Sequence, residues 1–268
     1  AAGRRSSAAG REAHSTGRGV MPRRARLFAV VPAAGRGERF GSRQPKQYVE
    51  LLGRPVLSWS LGALLAVRSV RAVIVALSEG DRRFARLPEA RDPRVRTCKG
   101  GARRELSVAN ALQALRGEAR DEDWVMVHDA ARPCLNPSDV RRLVAALRDD
   151  PVGGLLALPV GDTLKAAGAD GRCERTVPRE GLWRALTPQM FRYGVLHRAL
   201  KLNIERERVV TDEASAVEAM GLCPRLVAGR ADNIKITLPG DRGLAAAILR
   251  AGWDDDDENR PRLRRSRI

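Results

Sequence analysis

Aromatic side chains are scarce in this chain, with four Phe, four Trp and two Tyr among 268 residues. The scarcity matters because the net charge is +17, and a platform for single-stranded nucleic acid needs basic residues interleaved with rings on which bases stack. No such stripe occurs. Charge alone supports a general affinity for polyphosphates, so a basic RNA- or DNA-binding protein stays a remote alternative and no nucleic-acid partner is expected. Long apolar runs are also missing. No stretch approaches the roughly 18 residues of a membrane span, and no apolar segment follows the basic N-terminal residues as a secretory signal would require. No membrane partner and a cytoplasmic location are therefore expected. Cys98, Cys134, Cys173 and Cys223 lie 36, 39 and 50 residues apart. Such spacing gives neither the close pairs of a zinc site nor a disulfide framework, and reduced, mostly buried thiols are expected. Of 49 basic residues only Lys46, Lys99, Lys165, Lys201 and Lys235 are lysines.

One lysine stands beside the most informative stretch. Leu27 to Val31 is a short β-branched run suited to a strand buried on both faces, with Pro32 expected to end its ladder. Ala33, Ala34, Gly35 and Gly37 follow, and then Arg39 and Lys46. Where side chains are missing, polyphosphate oxygens can reach backbone N–H groups, and the cations supply the charge those oxygens need. The dinucleotide fingerprint fails because Phe40 occupies the place of its third glycine. The P-loop fails because Lys46 lies between Pro45 and Gln47. An isolated glycine pair would read as an ordinary turn. In so arginine-biased a chain, a lysine kept here argues for a compact ammonium rather than a planar fork.

With 43% apolar residues, the chain fits one large domain. Residues 1–26 carry seven arginines against Glu12 and are read as a disordered basic tail. Met21 offers an alternative start, with a transit peptide as the rival reading. After the loop, Pro55 opens a helix through Leu65 and Val70 to Leu77 is a second buried strand. A short helix is expected over Asp81 to Leu87, and a strand over Val95 to Cys98. Gly100 and Gly101 lead a helix through Ser107, Val108, Leu112 and Leu115. Trp124 to His128 forms the next strand, and its end carries Asp129 and Arg132, on the side where a parallel sheet borders its ligand crevice. Helix 138–148 and strand 152–158 continue the alternation, which implies a doubly wound, mostly parallel α/β sheet. A β-hairpin follows over about 159–177, too polar for a core strand pair. Then come helices near 192–201 and 211–220, short strands near 225–228 and 234–237, and a last helix over 240–250. The domain is expected to span 27–252, with 253–268 a charged C-terminal tail.

The segments Pro32-Ala-Ala-Gly-Arg-Gly-Glu-Arg-Phe, Pro45-Lys-Gln-Tyr, Gly100-Gly-Ala-Arg-Arg-Glu-Leu-Ser-Val, Val127-His-Asp-Ala-Ala-Arg-Pro, Asp162-Thr-Leu-Lys, Leu186-Thr-Pro-Gln, Thr211-Asp-Glu-Ala-Ser and Asp232-Asn-Ile-Lys together resemble one family. It is 2-C-methyl-D-erythritol 4-phosphate cytidylyltransferase, and the resemblance runs from about Leu27 to Gly252.

The resemblance implies a Rossmann-like fold of the nucleotide-diphospho-sugar transferase type with a projecting β-hairpin arm. It implies transfer of cytidylyl from CTP to the phosphate of 2-C-methyl-D-erythritol 4-phosphate, with release of pyrophosphate, in non-mevalonate isoprenoid biosynthesis. Elementary chemistry agrees, because a phosphomonoester oxygen is already ionised at neutral pH and needs no general base. Catalysis then rests on positioning and charge, and His14, His128 and His197 are left with structural roles. By resemblance, Arg39, Lys46, Arg179 and Lys235 are catalytic. Ala33, Ala34, Gly35, Gly37, Gly101, Ser107 and Asp129 bind the nucleotide. Arg132, Thr163, Arg179, Thr211 and Lys235 bind the polyol phosphate. The arm would clasp a second copy in a homodimer, bringing Thr163 and Arg179 to the neighbour's site. Mg²⁺ is expected on the triphosphate with no dedicated protein ligands. A ribitol 5-phosphate or other polyol-phosphate cytidylyltransferase is the nearest alternative.

Overall fold

The computed structural model describes residues 25–35 and 44–252. The expectations for residues 1–24 and 253–268, for Met21 and for Gly37 and Arg39 lie outside the described residues, whereas the tail expected over 1–26 ends too late: Arg26 is fixed to Asp123 by its N–H at 2.8 Å and its Nη2 at 2.6 Å. In chain order the strands are β1 (Leu27–Ala33), β2 (Glu50–Leu51), β3 (Arg54–Pro55), β4 (Val70–Leu77), β5 (Val95–Lys99), β6 (Trp124–Val127), β7 (Gly153–Pro159), β8 (Leu164–Ala167), β9 (Cys173–Val177), β10 (Trp183–Arg192) and β11 (Arg225–Ala228). The helices are α1 (Val56–Leu65), α2 (Arg104–Ala114), α3 (Pro137–Leu147), α4 (Tyr193–Glu205), α5 (Glu213–Glu218) and α6 (Asp241–Ala251).

A seven-stranded sheet runs in the order β11-β7-β10-β6-β1-β4-β5. Every neighbouring pair is parallel except the two that β10 makes, antiparallel to β6 and to β7. Successive side chains of β1 point to opposite faces. Ala29 and Val31 pack with Leu57, Leu61, Leu135 and Leu143, while Phe28 and Val30 pack with Leu112, Phe191, Leu196 and Val217. One face is thus covered by α1 and α3, the other by α2, α4 and α5. Burial on both sides is why β1, and β4 beyond its exposed Arg71, read as apolar runs rather than alternating ones. The sheet is the doubly wound one expected.

Several local expectations are corrected. β1 does not stop at Pro32, which continues opposite Ala76 of β4. Val30 turns its carbonyl toward β6, where it accepts from the His128 N–H at 2.9 Å. Pro32, two residues on, faces the same way beyond the end of β6, so its missing N–H costs no ladder bond. Gly181 to Phe191 carried no strand assignment, yet most of it is β10, in the middle of the sheet. A register irregularity between Ala185 and Gln189 accommodates Pro188 there, the residue that argues against a central strand. The helix expected at Asp81 to Leu87 is instead two 3₁₀ turns, Phe84–Arg86 and Pro88–Arg91. The Asp81 carboxylate accepts from the Arg83 and Phe84 N–H groups, and Pro88 prevents continuation of the first turn.

No strand forms at 234–237. Ile236 donates to the Ala131 carbonyl at 2.8 Å, while the Thr237 N–H turns to the Asp241 carboxylate at 2.7 Å. Lys235 therefore rides on an extended loop laid across the end of β6. The thiol expectation holds only in part, for all four cysteines are free but Cys173 and Cys223 are exposed. β8 and β9 form a separate antiparallel pair whose residues are mostly exposed. This is the hairpin arm.

Candidate active site

At the carboxyl ends of β1, β5 and β6 lies a cavity of about 410 Å³. Its walls include Ala33, Ala34 and Gly35 after β1, Lys46 and Gln47, Gly101 to Arg104 with Ser107, Asp129 to Ala131, and Lys235. A parallel sheet opens such a crevice where neighbouring connections leave on opposite faces. Small residues keep the two main loops close. A Cβ on Gly100 would stand 2.4 Å from the Ala34 Cβ, so only glycine lets the β5–α2 turn lie against the segment after β1. The turn is fixed from within by Ser107 Oγ, which accepts from the Gly101 N–H at 3.0 Å.

Lys46 begins the 3₁₀ turn Lys46–Tyr48, which is tied down on both sides. Gln47 donates to the Ala33 carbonyl at 2.7 Å, and Tyr48 Oη donates to Asp81 at 2.8 Å. Burial and the Asp81 carboxylate push the Tyr48 phenol upward, so it stays a neutral donor.

Asp129 sits at the centre of the charges. Its Oδ1 accepts from Arg104 Nε at 3.0 Å, and its Oδ2 accepts from Lys235 Nζ at 2.7 Å. Arg132 Nε lies 4.0 Å from the same oxygen, while its Nη1 donates to the Asn233 carbonyl. Burial pushes the Asp129 carboxyl up, but Arg104 and Lys235 outweigh it and hold the group well below the usual carboxylate range. Arg104 is also gripped by Glu213 of α5, at 2.6 and 3.1 Å. Glu213 is nearly sealed from solvent, and burial raises its pKa against the pull of Arg104.

The backbone around Asp129 is held by neutral groups. The Asp129 N–H donates to Thr187 Oγ1 at 3.2 Å, Thr187 is 2.9 Å from His128 Nδ1, and His128 Nε2 is 3.1 Å from the Arg132 carbonyl. Since a carbonyl can only accept, Nε2 carries the proton and Nδ1 accepts from the hydroxyl. Burial pushes the His128 pKa down to about 4, which keeps the ring neutral and fits the structural role expected of it.

Ala33, Ala34, Gly35, Lys46, Gly101, Ser107, Asp129 and Lys235 are thus brought together around one cavity. Arg132 lies behind Asp129 rather than on the wall. Thr163 and Arg179 are elsewhere, at the base of the arm, with Arg179 donating to the Gly161 carbonyl of its own chain. Thr211 is exposed and bonded to Ser215. Sequence reasoning gave no role to Arg104, Gln47 or Glu213. Arg104 had one available signal, a cation in the first turn of a glycine-led helix. Glu213 lies inside the Thr211-Asp-Glu-Ala-Ser segment, but nothing in that segment shows its partner, which is 109 positions away.

The geometry has counterparts among known proteins. The 2-C-methyl-D-erythritol 4-phosphate cytidylyltransferase of Dechloromonas aromatica is 52% identical over 233 residues, 86% of this chain and 99% of that protein. The enzyme of the same name from Pseudomonas putida strain F1 is 52% identical over 216 residues, 80% of this chain and 92% of its own. The crystal structure of the Francisella tularensis enzyme superposes with a TM-score of 0.73 at 32% identity, covering 84% of this chain and all of that one. With the family model for 2-C-methyl-D-erythritol 4-phosphate cytidylyltransferase matching residues 27–251, the chain belongs to that family of nucleotidyltransferases.

Proposed function

We propose that the cavity binds CTP and transfers its cytidylyl group to 2-C-methyl-D-erythritol 4-phosphate, releasing pyrophosphate. The observation that carries this reading is the convergence of Lys46, Lys235 and the small residues Ala34, Gly35 and Gly101 on one crevice. The phosphate oxygen of the polyol attacks the α-phosphorus of CTP, and the bond from that phosphorus to the β-phosphate bridge breaks. No proton need be removed from a phosphate monoester dianion, so the chain's task is placement and charge. Lys46, with Arg39 four positions after Gly35 in the sequence, neutralises the charge that builds on the α-phosphate. Lys235 orients the incoming phosphate from across the cavity. Ala33, Ala34, Gly35, Gly101 and Ser107 take the nucleoside through backbone contacts, and Asp129 fixes Lys235.

Magnesium belongs to the same reading. Asp129 is the one carboxylate among the described residues lining the cavity, and both its oxygens already accept from cations. Among the described residues no group of three or more His, Cys, Asp or Glu could hold a metal ion. This donor set fits an ion carried on triphosphate oxygens and water, whose chemistry is to offset phosphate charge. Thr163 and Arg179, remote from the cavity of their own chain, complete the polyol-phosphate site of a second copy in a homodimer joined through the arm. None of the described helices is long and apolar enough to cross a membrane. Pyrophosphate release with CTP and a panel of polyol phosphates tests the whole reading. Turnover is expected with 2-C-methyl-D-erythritol 4-phosphate, and preference for ribitol 5-phosphate would overturn the choice of acceptor.

A further inference from the structure

Three cations surround the Asp129 carboxylate: Arg132 stands off at 4.0 Å with its Nη1 spent on the Asn233 carbonyl, and the two that bond the carboxylate directly are held very differently. Arg104 spends its guanidinium on two carboxylates at once. Its terminal nitrogens reach Glu213 at 2.6 and 3.1 Å, and its Nε and Nη2 lie 3.0 and 2.9 Å from Asp129 Oδ1. Glu213 is only 1% exposed, so moving Arg104 away would leave a buried carboxylate without its partner. Among the described residues Lys235 makes one ion pair, at 2.7 Å to Asp129 Oδ2, and its side chain is 40% exposed. A point charge on a flexible stem can leave such a pair for another anion; a fork fixed by two carboxylates cannot.

We propose that Arg104 and Glu213 are positioning residues for the transfer: their buried ion pair pins one oxygen of Asp129, so that Lys235 alone exchanges between that carboxylate and a substrate phosphate. This rests on the phosphate-binding role given to Lys235 above. Arg104 lines the cavity, but its guanidinium is committed to the two carboxylates, so the pair, close to charge-neutral, acts on the substrate phosphate through Asp129 and Lys235. Glu213 tethers α5 to the first turn of α2, and Asp129 receives the result. Loss of either partner changes how tightly Asp129 keeps Lys235, and the two losses act in opposite senses. Without the Arg104 charge, Asp129 holds Lys235 harder and phosphate must compete for it. Without the Glu213 charge, Arg104 compensates Asp129 more fully and Lys235 is released more easily.

The test is a set of dissociation constants for the polyol phosphate, measured by calorimetry on the full chain with a non-transferable CTP analogue bound. Arg104→Gln is expected to weaken binding by about tenfold and Glu213→Gln to tighten it by a similar factor. In a Lys235→Ala background both shifts should collapse, because the residue that transmits them is gone. Shifts in the same direction, or shifts that persist undiminished without Lys235, overturn the inference. Arg104→Gln leaves Glu213 unpaired and can fail to fold, so the double variant Arg104→Met with Glu213→Leu, which strands no buried charge, supplies a second arm. Its affinity should return near that of the natural chain while turnover stays down by about 10²-fold, since the Asp129 oxygen has lost its anchor. Natural turnover in the double variant overturns the proposal. If Lys235→Ala alone leaves both affinity and turnover intact, the role of Lys235 itself falls. If Lys235→Ala is impaired and the shifts remain, only the present inference falls.

Discussion

At the scale of single residues, charge at the α-phosphate counts most when phosphorus becomes five-coordinate. Lys46→Ala is therefore expected to lower kcat by far more than it raises the dissociation constant for CTP, in single-turnover and binding measurements. Equal losses in both would make Lys46 a ground-state contact. Lys46→Arg should recover little, because a planar fork needs a different distance from the turn held by Gln47 and Tyr48. His128 gives a prediction in pH. Its pKa falls from 6.5 to about 4 on folding because the ring is buried, so below pH 6.5 the unfolded chain takes up a proton that the folded chain refuses. Stability owed to the neutral ring is complete above pH 6.5 and is lost toward pH 4, at up to about 1.4 kcal/mol per pH unit. Urea unfolding of His128→Gln beside the natural chain should show this slope vanish from the variant. Parallel pH profiles for the two proteins would mean that the ring titrates alike folded and unfolded.

At the scale of elements, the β5–α2 turn carries the sharpest constraint. Gly100→Ala places a methyl 2.4 Å from the Ala34 Cβ and 3.2 Å from the Leu77 carbonyl. Both neighbours are fixed to backbone, so the two nucleotide loops must separate. The KM for CTP should rise about tenfold with a stability loss of about 1–3 kcal/mol, and an unchanged KM would show that the loops do not both touch the nucleotide. This element was legible in the sequence as a glycine pair opening a helix, as were β1 and β4 from their β-branched runs and the arm from its polarity. β10 was hidden because Pro188 argues against a central strand, and only the slipped register between Ala185 and Gln189 admits it. The stretch 234–237 carried β-branched residues but lacks a neighbouring strand, a fact of tertiary placement that periodicity does not encode. The site divided along the same line. Lys46 stood beside a glycine loop whose local chemistry pointed to phosphate and Asp129 at a strand end bordering the crevice, while Gly101 took its nucleotide role from the family resemblance; Glu213 acquires its function from Arg104, a partner distant in sequence.

At the scale of the whole molecule, the arm raises the question of how many chains make one site. β8 and β9 pair with each other and not with the seven-stranded sheet, and a lone two-stranded hairpin is marginal in water unless something packs on it. Arg179, at its base, donates to Gly161 of its own chain and lies off the cavity that holds Lys46. A two-fold dimer would resolve both features, each arm lying on the partner and each Arg179 serving the partner's site. Mixing inactive chains tests it. If sites are shared, Lys46→Ala and Arg179→Ala chains refolded together in equal amounts form mixed dimers in half of all cases. In each mixed dimer one site joins the natural Lys46 of one chain to the natural Arg179 of the other, and its twin carries both lesions. About a quarter of all sites should then regain activity, and the recovered rate should fall on dilution below the dimer dissociation constant. If Arg179 acts on the Lys46 of its own chain, every site in the mixture keeps one lesion and no activity returns at any concentration.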